Sequence, residues 1–311
     1  MRVPFVPSAS SSQADRSTTV AIWGDQGVFV PLGWAIEGLM QTDYGLNETE
    51  DSVAKPLDAR IVAGDIAYAG LDIKVPLLNI TNGDEEESIW DLYGMQQSAL
   101  GSRRPLMFTF GNHDNFYDAL AFQNRFASPS NAHATNGSSP YWYSFEVGNA
   151  HFLSLSSEHD YSKTSPQYAF ASADLAAAAA NKANVPWLVV NFHRPMYSSY
   201  ASEYPAHHAG GLLQLDLEAL LVKHGVSLVI SGHIHSRERI HPVINGTVTD
   251  FPINITTPEG PSQAYRNPRA PAHMCTAMGG ALQEDAWVHP VPAWSAIRGA
   301  GWLDSYGYVH L

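Results

Sequence analysis

Ala59-Arg60-Ile61-Val62-Ala63-Gly64-Asp65-Ile66-Ala67-Tyr68 is a short apolar run that breaks at a glycine into a carboxylate and, three residues later, a phenol. A run of this length, rich in β-branched residues and stopped by Gly, predicts a strand buried on both faces. In an open α/β sheet the polar residues that follow such strands gather in the crevice beyond their carboxyl ends. The same grammar recurs along the chain. Thr19–Trp23 leads into Gly24-Asp25, Leu106–Phe110 into Gly111-Asn112-His113-Asp114, Trp187–Val190 into Asn191-Phe192-His193, and Val226–Ile230 into Gly232-His233-Ile234-His235. Five separate segments therefore deliver carboxylate, phenol, amide and imidazole groups to strand ends, and the fold class expected is α/β.

The stretches between these runs suit crossover connections. Ser172-Ala173-Asp174-Leu175 ahead of Ala176–Ala180 predicts a helix capped at Ser172, and Gly211–His224 carries Leu at helical spacing. Tyr141–Val147 and Ala150–Leu155 predict an antiparallel hairpin. Residues 251–271, full of Pro, Asn and Gln, predict a long surface excursion. Tyr306–Leu311 alternates like a strand but has neither partner nor turn after it. Asp84-Glu85-Glu86-Glu87 reads as a solvated loop. The Ser/Thr-rich start, residues 1–18, reads as a linker, which leaves 19–311 as one domain.

Composition limits the chemistry. The 311 residues carry 17 Lys and Arg against 30 Asp and Glu, a formal charge of −13, which is no footprint for nucleic acid or an anionic membrane. Cys275 is the only cysteine, so neither an internal disulfide nor a thiolate metal site can form. Acceptor triplets for N-glycosylation begin at Asn47, Asn79, Asn136, Asn245 and Asn254. They lean towards a secretory protein, although the first residues lack the apolar core of a signal peptide and no stretch reaches membrane-spanning length. An upstream export signal is expected to reconcile the two.

Asp25, Asp65, Tyr68, Asn112, His193, His233 and His235 offer oxygen and nitrogen donors of the kind that suit Fe, Mn or Zn. Seven donors exceed the needs of one ion. With Asp65 bridging, two ions receive four donors each, and two metals about 3.5–4 Å apart can clamp a phosphoryl group and acidify a water. Gly64, Gly111 and Gly232 would let the backbone turn tightly around such a centre.

With these motifs in order, the chain resembles the purple acid phosphatases of the calcineurin-like metallophosphoesterases. The resemblance covers positions 19 to 311, and Tyr68, three residues after Asp65, is the mark of the purple group. It implies a four-layer α/β/β/α sandwich with mixed sheets, here incomplete at the C-terminus, and a missing upstream region where many relatives carry a β-sandwich. It further implies ferric iron, Fe(3+), on Asp25, Asp65, Tyr68 and His235, with a second divalent metal, Fe, Zn or Mn, on Asp65, Asn112, His193 and His233. Tyr68 would bind as a coloured phenolate.

His113 would lie beside the substrate phosphate, and His207 or His208 would bind phosphate or protonate the leaving group. Family members commonly have Glu at the position of Asp114 and Tyr at that of Arg237; neither position is a ligand. Arg194 and Arg239 are read as structural ion-pair residues. The expected activity is hydrolysis of small phosphate monoesters by hydroxide held on the two metals, in a secreted acid phosphatase with no nucleic-acid or membrane partner. Alternatives are a phosphodiesterase or nucleotide pyrophosphatase on the same scaffold, and a truncated, non-catalytic fragment that binds metal.

Overall fold

The computed structural model describes residues 18–28, 33–34, 36, 38–40, 57–70, 74–75, 80–81, 86–101, 104–126, 128–129, 139–204, 206–257, 260–299 and 306–310. Residues 1–17, the triplets at Asn47 and Asn136, and Asn79, Asp84 and Glu85 lie outside them. In chain order the elements are β1 (Val20–Trp23), β2 (Ala59–Val62), β3 (Lys74–Val75), β4 (Ile80–Thr81), α1 (Glu86–Gly101), β5 (Leu106–Phe108), α2 (Leu120–Arg125), β6 (Tyr143–Val147), β7 (Ala150–Ser154) and α3 (Pro166–Ala180). There follow β8 (Trp187–Asn191), α4 (Ala219–Lys223), β9 (Leu228–Ser231), β10 (Arg237–Ile240), β11 (Val243–Ile244), β12 (Thr247–Val248), β13 (Ile253–Thr257), β14 (Gly260–Ala264), β15 (Ala272–Thr276), β16 (Ser295–Arg298) and β17 (Val309–His310).

Two mixed sheets dominate. The smaller runs β17-β1-β2-β5 and the larger β16-β10-β15-β9-β8-β7-β6. β1, β2 and β5 are parallel, as are β7, β8, β9 and β15, while β17, β6, β10 and β16 pair antiparallel at or near the edges.

Side-chain alternation along each strand decides the layers. Val20, Ile22, Ala59 and Ile61 pack with Tyr143, Phe145, Phe152, Val189 and Ile230, so the two sheets face each other across an apolar seam. On the outer face of the small sheet, Ala21, Trp23 and Val62 meet Ile89, Trp90 and Tyr93 of α1. On the outer face of the large sheet, Leu153, Leu188 and Val190 meet Phe170, Leu175 and Ala178 of α3, and Leu220 and Leu221 of α4. The architecture is therefore helix, sheet, sheet, helix. Because every residue of β1 and β2 is buried, those strands read as continuous apolar runs, not as alternations.

Several expectations are corrected. The α3 helix starts with Pro166 after the cap Ser165, whose side chain accepts from the Tyr168 amide 3.0 Å away. Ser172 lies inside the helix, and proline at the first helical position was the stronger start signal. Glu86 and Glu87 open α1, where their charge suits the helix N-terminus. Ile253–Thr257 and Gly260–Ala264 pair antiparallel, with Ile253 opposite Ala264, so the surface excursion carries two regular strands. Asn254 accordingly sits in a strand and Asn245 in the β11–β12 turn, and both are exposed. The terminal strand does have a partner: His310 and Val309 pair antiparallel with Ala21 and Ile22.

Candidate dinuclear metal centre

The parallel strands end at one place. Asp25 follows β1, Asp65 and Tyr68 follow β2, Asn112 follows β5, His193 follows β8, and His233 and His235 follow β9. Backbone hydrogen bonds lock these ends together across the two sheets, with Gly24 donating to the Thr276 carbonyl at 3.0 Å and Asp25 to the Gly64 carbonyl at 3.0 Å.

The turns are strained. Asp25, Asp65, Tyr68 and His233 all have left-handed backbone, with φ of 58, 51, 52 and 71°, which costs on the order of 1–3 kcal/mol for each non-glycine residue and concentrates at functional sites. Asp114 steadies one of them: its buried carboxylate accepts from the backbone N–H of Asp65 (3.0 Å), Ile66 (2.9 Å) and Gly111 (2.9 Å). Close packing is needed as well. A Cβ on Gly64, whose φ is +85°, would fall 2.4 Å from Nδ1 of His193, and one on Gly111 would fall 2.3 Å from Oδ1 of Asp65.

Donor atoms of Asp25, Asp65 and His235 lie within 4.8 Å of one another, and so do those of Asp65, His193 and His233. Asp65 is common to both groups. Its Oδ1 accepts the His113 amide at 2.8 Å, but its Oδ2 is buried with no hydrogen-bond partner. Tyr68 donates to Asp25 at 3.1 Å and stands 2.7 Å from Nε2 of His235. Asn112 Oδ1 is 3.0 Å from Nε2 of His193. Two imidazoles are oriented from behind: His193 donates from Nδ1 to the Ala63 carbonyl at 2.8 Å, and His235 from Nδ1 to the Leu282 carbonyl at 2.9 Å. Each thereby turns Nε2 towards the carboxylates, the arrangement of metal-ligating histidines. His233 accepts at Nε2 from Arg194, 3.0 Å away.

The electrostatics ask for positive charge. Burial opposes protonation of His193, yet the Asp65 carboxylate outweighs it and holds the imidazole up at about 10. His235 is held at about 9, because its hydrogen bond to Asp25 and the charges of Asp25 and Glu284 exceed the burial penalty. His233 is instead driven down to about 2 by burial and by the neighbouring cations of His193 and Arg194. Burial, then the Asp25 and Asp65 charges, push the Tyr68 phenol well above its usual range; a cation among these three groups would act in the opposite sense. A partnerless buried carboxylate oxygen, imidazoles oriented from behind and an all-oxygen-and-nitrogen donor set fit a pair of hard or borderline cations.

The remaining expected residues divide. His113 is at the cluster, its ring 5.0 Å from that of Tyr68 and its Nε2 3.9 Å from Asp65. His207 is buried, with its ring 6.0 Å from that of His233. His208 turns elsewhere: its ring packs at 4.9 Å on Tyr204 and its Nδ1 lies 2.5 Å from the Ala209 carbonyl. Arg194 makes the expected ion pair, with Glu158 at 2.9 Å, while also reaching His233. Sequence reasoning missed Glu203, which faces His207 at 3.4 Å and His233 at 3.9 Å, and Glu284, which accepts the His235 amide at 3.2 Å. Both sit in loops with no motif around them, and only the tertiary approach of those loops reveals them.

Comparison with known proteins agrees with this geometry. A sequence model of the calcineurin-like phosphoesterase family matches residues 41–237. Purple acid phosphatase 18 of Arabidopsis thaliana is 29% identical over 290 residues, covering 90% of this chain and 56% of that protein. A phosphoenolpyruvate phosphatase of Allium cepa is 28% identical over 307 residues, covering 96% of this chain and 55% of that one. The structure of a purple acid phosphatase from yellow lupin (Lupinus luteus) seeds superposes with a TM-score of 0.66 at 22% identity, covering 94% of this chain and 49% of the other. The chain thus spans about half the length of the curated relatives it matches. By the family match and the strand-end cluster together, the chain belongs to the calcineurin-like phosphoesterase family, and the relatives it resembles within that family are purple acid phosphatases.

Proposed function

We propose that this protein is a phosphoric monoester hydrolase working at a two-metal centre, with ferric iron on Asp25, Asp65, Tyr68 and His235 and divalent Fe, Zn or Mn on Asp65, Asn112, His193 and His233. The observation that carries the reading is Asp65, shared by both donor groups and left with one buried oxygen that no hydrogen bond satisfies. When bound, the two ions would neutralise phosphoryl charge and supply an acidified water. The substrate class is a small phosphate ester, a reading supported by the purple acid phosphatase relatives and by the name of the Allium cepa protein.

The chain's own residues have distinct tasks in this proposal. His113, one-third exposed at the rim, would donate to a non-bridging phosphate oxygen. His207 stands opposite, beside Glu203. Burial lowers its basicity and the Glu203 charge restores only part of it, so a proton on His207 would be given up readily to a leaving alkoxide. Of the two adjacent histidines, His207 is the one we assign this role, because His208 is engaged with Tyr204 and Ala209. Arg194 would hold the His233 ring and add positive charge near the phosphate.

We also read 19–311 as one phosphoesterase unit behind a 1–18 linker, made for the secretory route; the exposed triplet at Asn245 supports that route. The test is metal content and the visible spectrum of the purified protein, followed by hydrolysis of a monoester at acid pH. About two metals including iron, with a broad visible band that Tyr68→Phe abolishes, is the expected result. A folded protein that takes up no metal and cleaves no ester would overturn the proposal.

A further inference from the structure

A second concavity lies at the opposite end of the large sheet. It has a volume of about 870 Å³ and is built where β8, β9 and β15 begin, at Trp187, Leu228 and Ala272, with Ile255 of the β13–β14 hairpin as part of its wall. The metal-binding residues follow the far ends of β8 and β9. The span from Leu228 to His233 is about 16 Å of extended chain, so this cavity is separate from the cluster.

Its lining has an unusual balance. In a chain with 30 acidic and 17 basic residues, the cavity is lined by Lys182, Arg239 and Arg266, and by no Asp or Glu among the described residues. Arg239 was expected to make an ion pair. Instead its guanidinium bonds the Gln263 amide oxygen at 3.1 Å and keeps a buried Nε with no hydrogen-bond partner. His273, 4% exposed, also lines the cavity, and neither ring nitrogen has a hydrogen-bond partner. The walls otherwise are apolar and aromatic, and Trp187 is 56% exposed beside Tyr265. Small-molecule sites have this form, a mostly apolar concavity of some 300–1,000 Å³ with a few convergent polar groups. Arginine that lacks its own carboxylate, in a wall otherwise apolar and aromatic, suits a planar anion that can stack and pair at once.

We propose that this cavity binds a small organic anion with a flat apolar body, its carboxylate or phosphate-type head held by Arg239 and Arg266 and its body lying against the apolar wall of the cavity. The site is independent of the metal centre and of the activity proposed there.

The test uses the full chain and the fluorescent probe anilinonaphthalene sulfonate, with uncharged phenylnaphthylamine as control. One saturable site is expected for the anion, weakened about tenfold or more in Arg239→Gln with Arg266→Gln, since a hydrogen bond to a charged group contributes on this scale. Arg266 is exposed, so Arg266→Gln alone tests the site without risk to the fold and is expected to weaken binding in the same sense. Displacement by a naphthoate identifies a carboxylate head, and displacement by a naphthyl phosphonate a phosphate-type head. The proposal is overturned by any of three results: no saturable binding, equal binding of the uncharged control, or affinity unchanged in both arginine variants.

Discussion

Asp114→Ala should lower stability and metal content together, although Asp114 lies outside the proposed ligand set. Its carboxylate is 2% exposed and receives three backbone donors, from Asp65, Ile66 and Gly111, at 2.9–3.0 Å. Alanine would leave all three buried without acceptors, at about 1–3 kcal/mol each. Water entering the space left by the side chain would offset part of this, so the expected loss is about 3 kcal/mol or more. For a domain of this size that lowers the melting temperature by about 5 °C or more. The turn that holds Asp65 at φ 51° loses its anchor in the same step, so metal content should fall together with stability. Asp114→Asn grades the argument. Its one remaining oxygen can keep the Asp65 and Gly111 bonds now made to Oδ2, while its NH2 group faces the Ile66 N–H, so roughly a third of the loss is expected. Urea midpoints and metal-to-protein ratios measure both effects. An alanine variant with wild-type midpoint and full metal content would refute the reasoning.

Asp65→Ala should remove both metals at once, because both donor groups contain Asp65; elemental analysis that finds one metal retained would mean that Asp65 does not bridge. Phe152→Ala, in the seam where its ring stacks on Phe145 at 5.2 Å, should cost about 3–5 kcal/mol in denaturant unfolding and leave metal content per folded molecule unchanged. His273 is buried and held down to about 3. Unfolded chains protonate such a side chain below about 6.5, so the unfolded state binds the extra proton between these values and stability falls as pH drops through that window. His273→Phe should flatten the stability–pH slope between about pH 4 and 6 by close to one proton, as read from unfolding midpoints at a series of pH values.

How legible the molecule was depended on the range of the interaction. The strands preceding Asp25, Asp65, Asn112, His193 and His233 were readable because burial on both faces leaves a continuous apolar run, a local signal. The start of α3 differs from the local expectation because Ser172 also has cap chemistry, while Pro166 at the first helical position fixes the cap at Ser165. The partner of Val309 and His310 could not be read locally, since Ala21 and Ile22 lie almost the whole chain away. The β13–β14 hairpin was hidden by a composition of Pro, Asn and Gln that does not look like strand.

The sequence by itself determined the donor inventory: two carboxylates, a phenol, an amide and three imidazoles, each just after an apolar run, with only one cysteine and therefore no thiolate alternative. Residue type and strand-end position are local properties, so one chain sufficed for them. Tertiary structure alone decided which donors lie together, that His207 rather than His208 faces the cluster, and that Asp114, Glu203 and Glu284 support it. It alone also gathered Lys182, Arg239 and Arg266 around one cavity. Those facts rest on distances between segments remote in the chain, and such distances are set by how two sheets pack across an apolar seam, which no local pattern encodes.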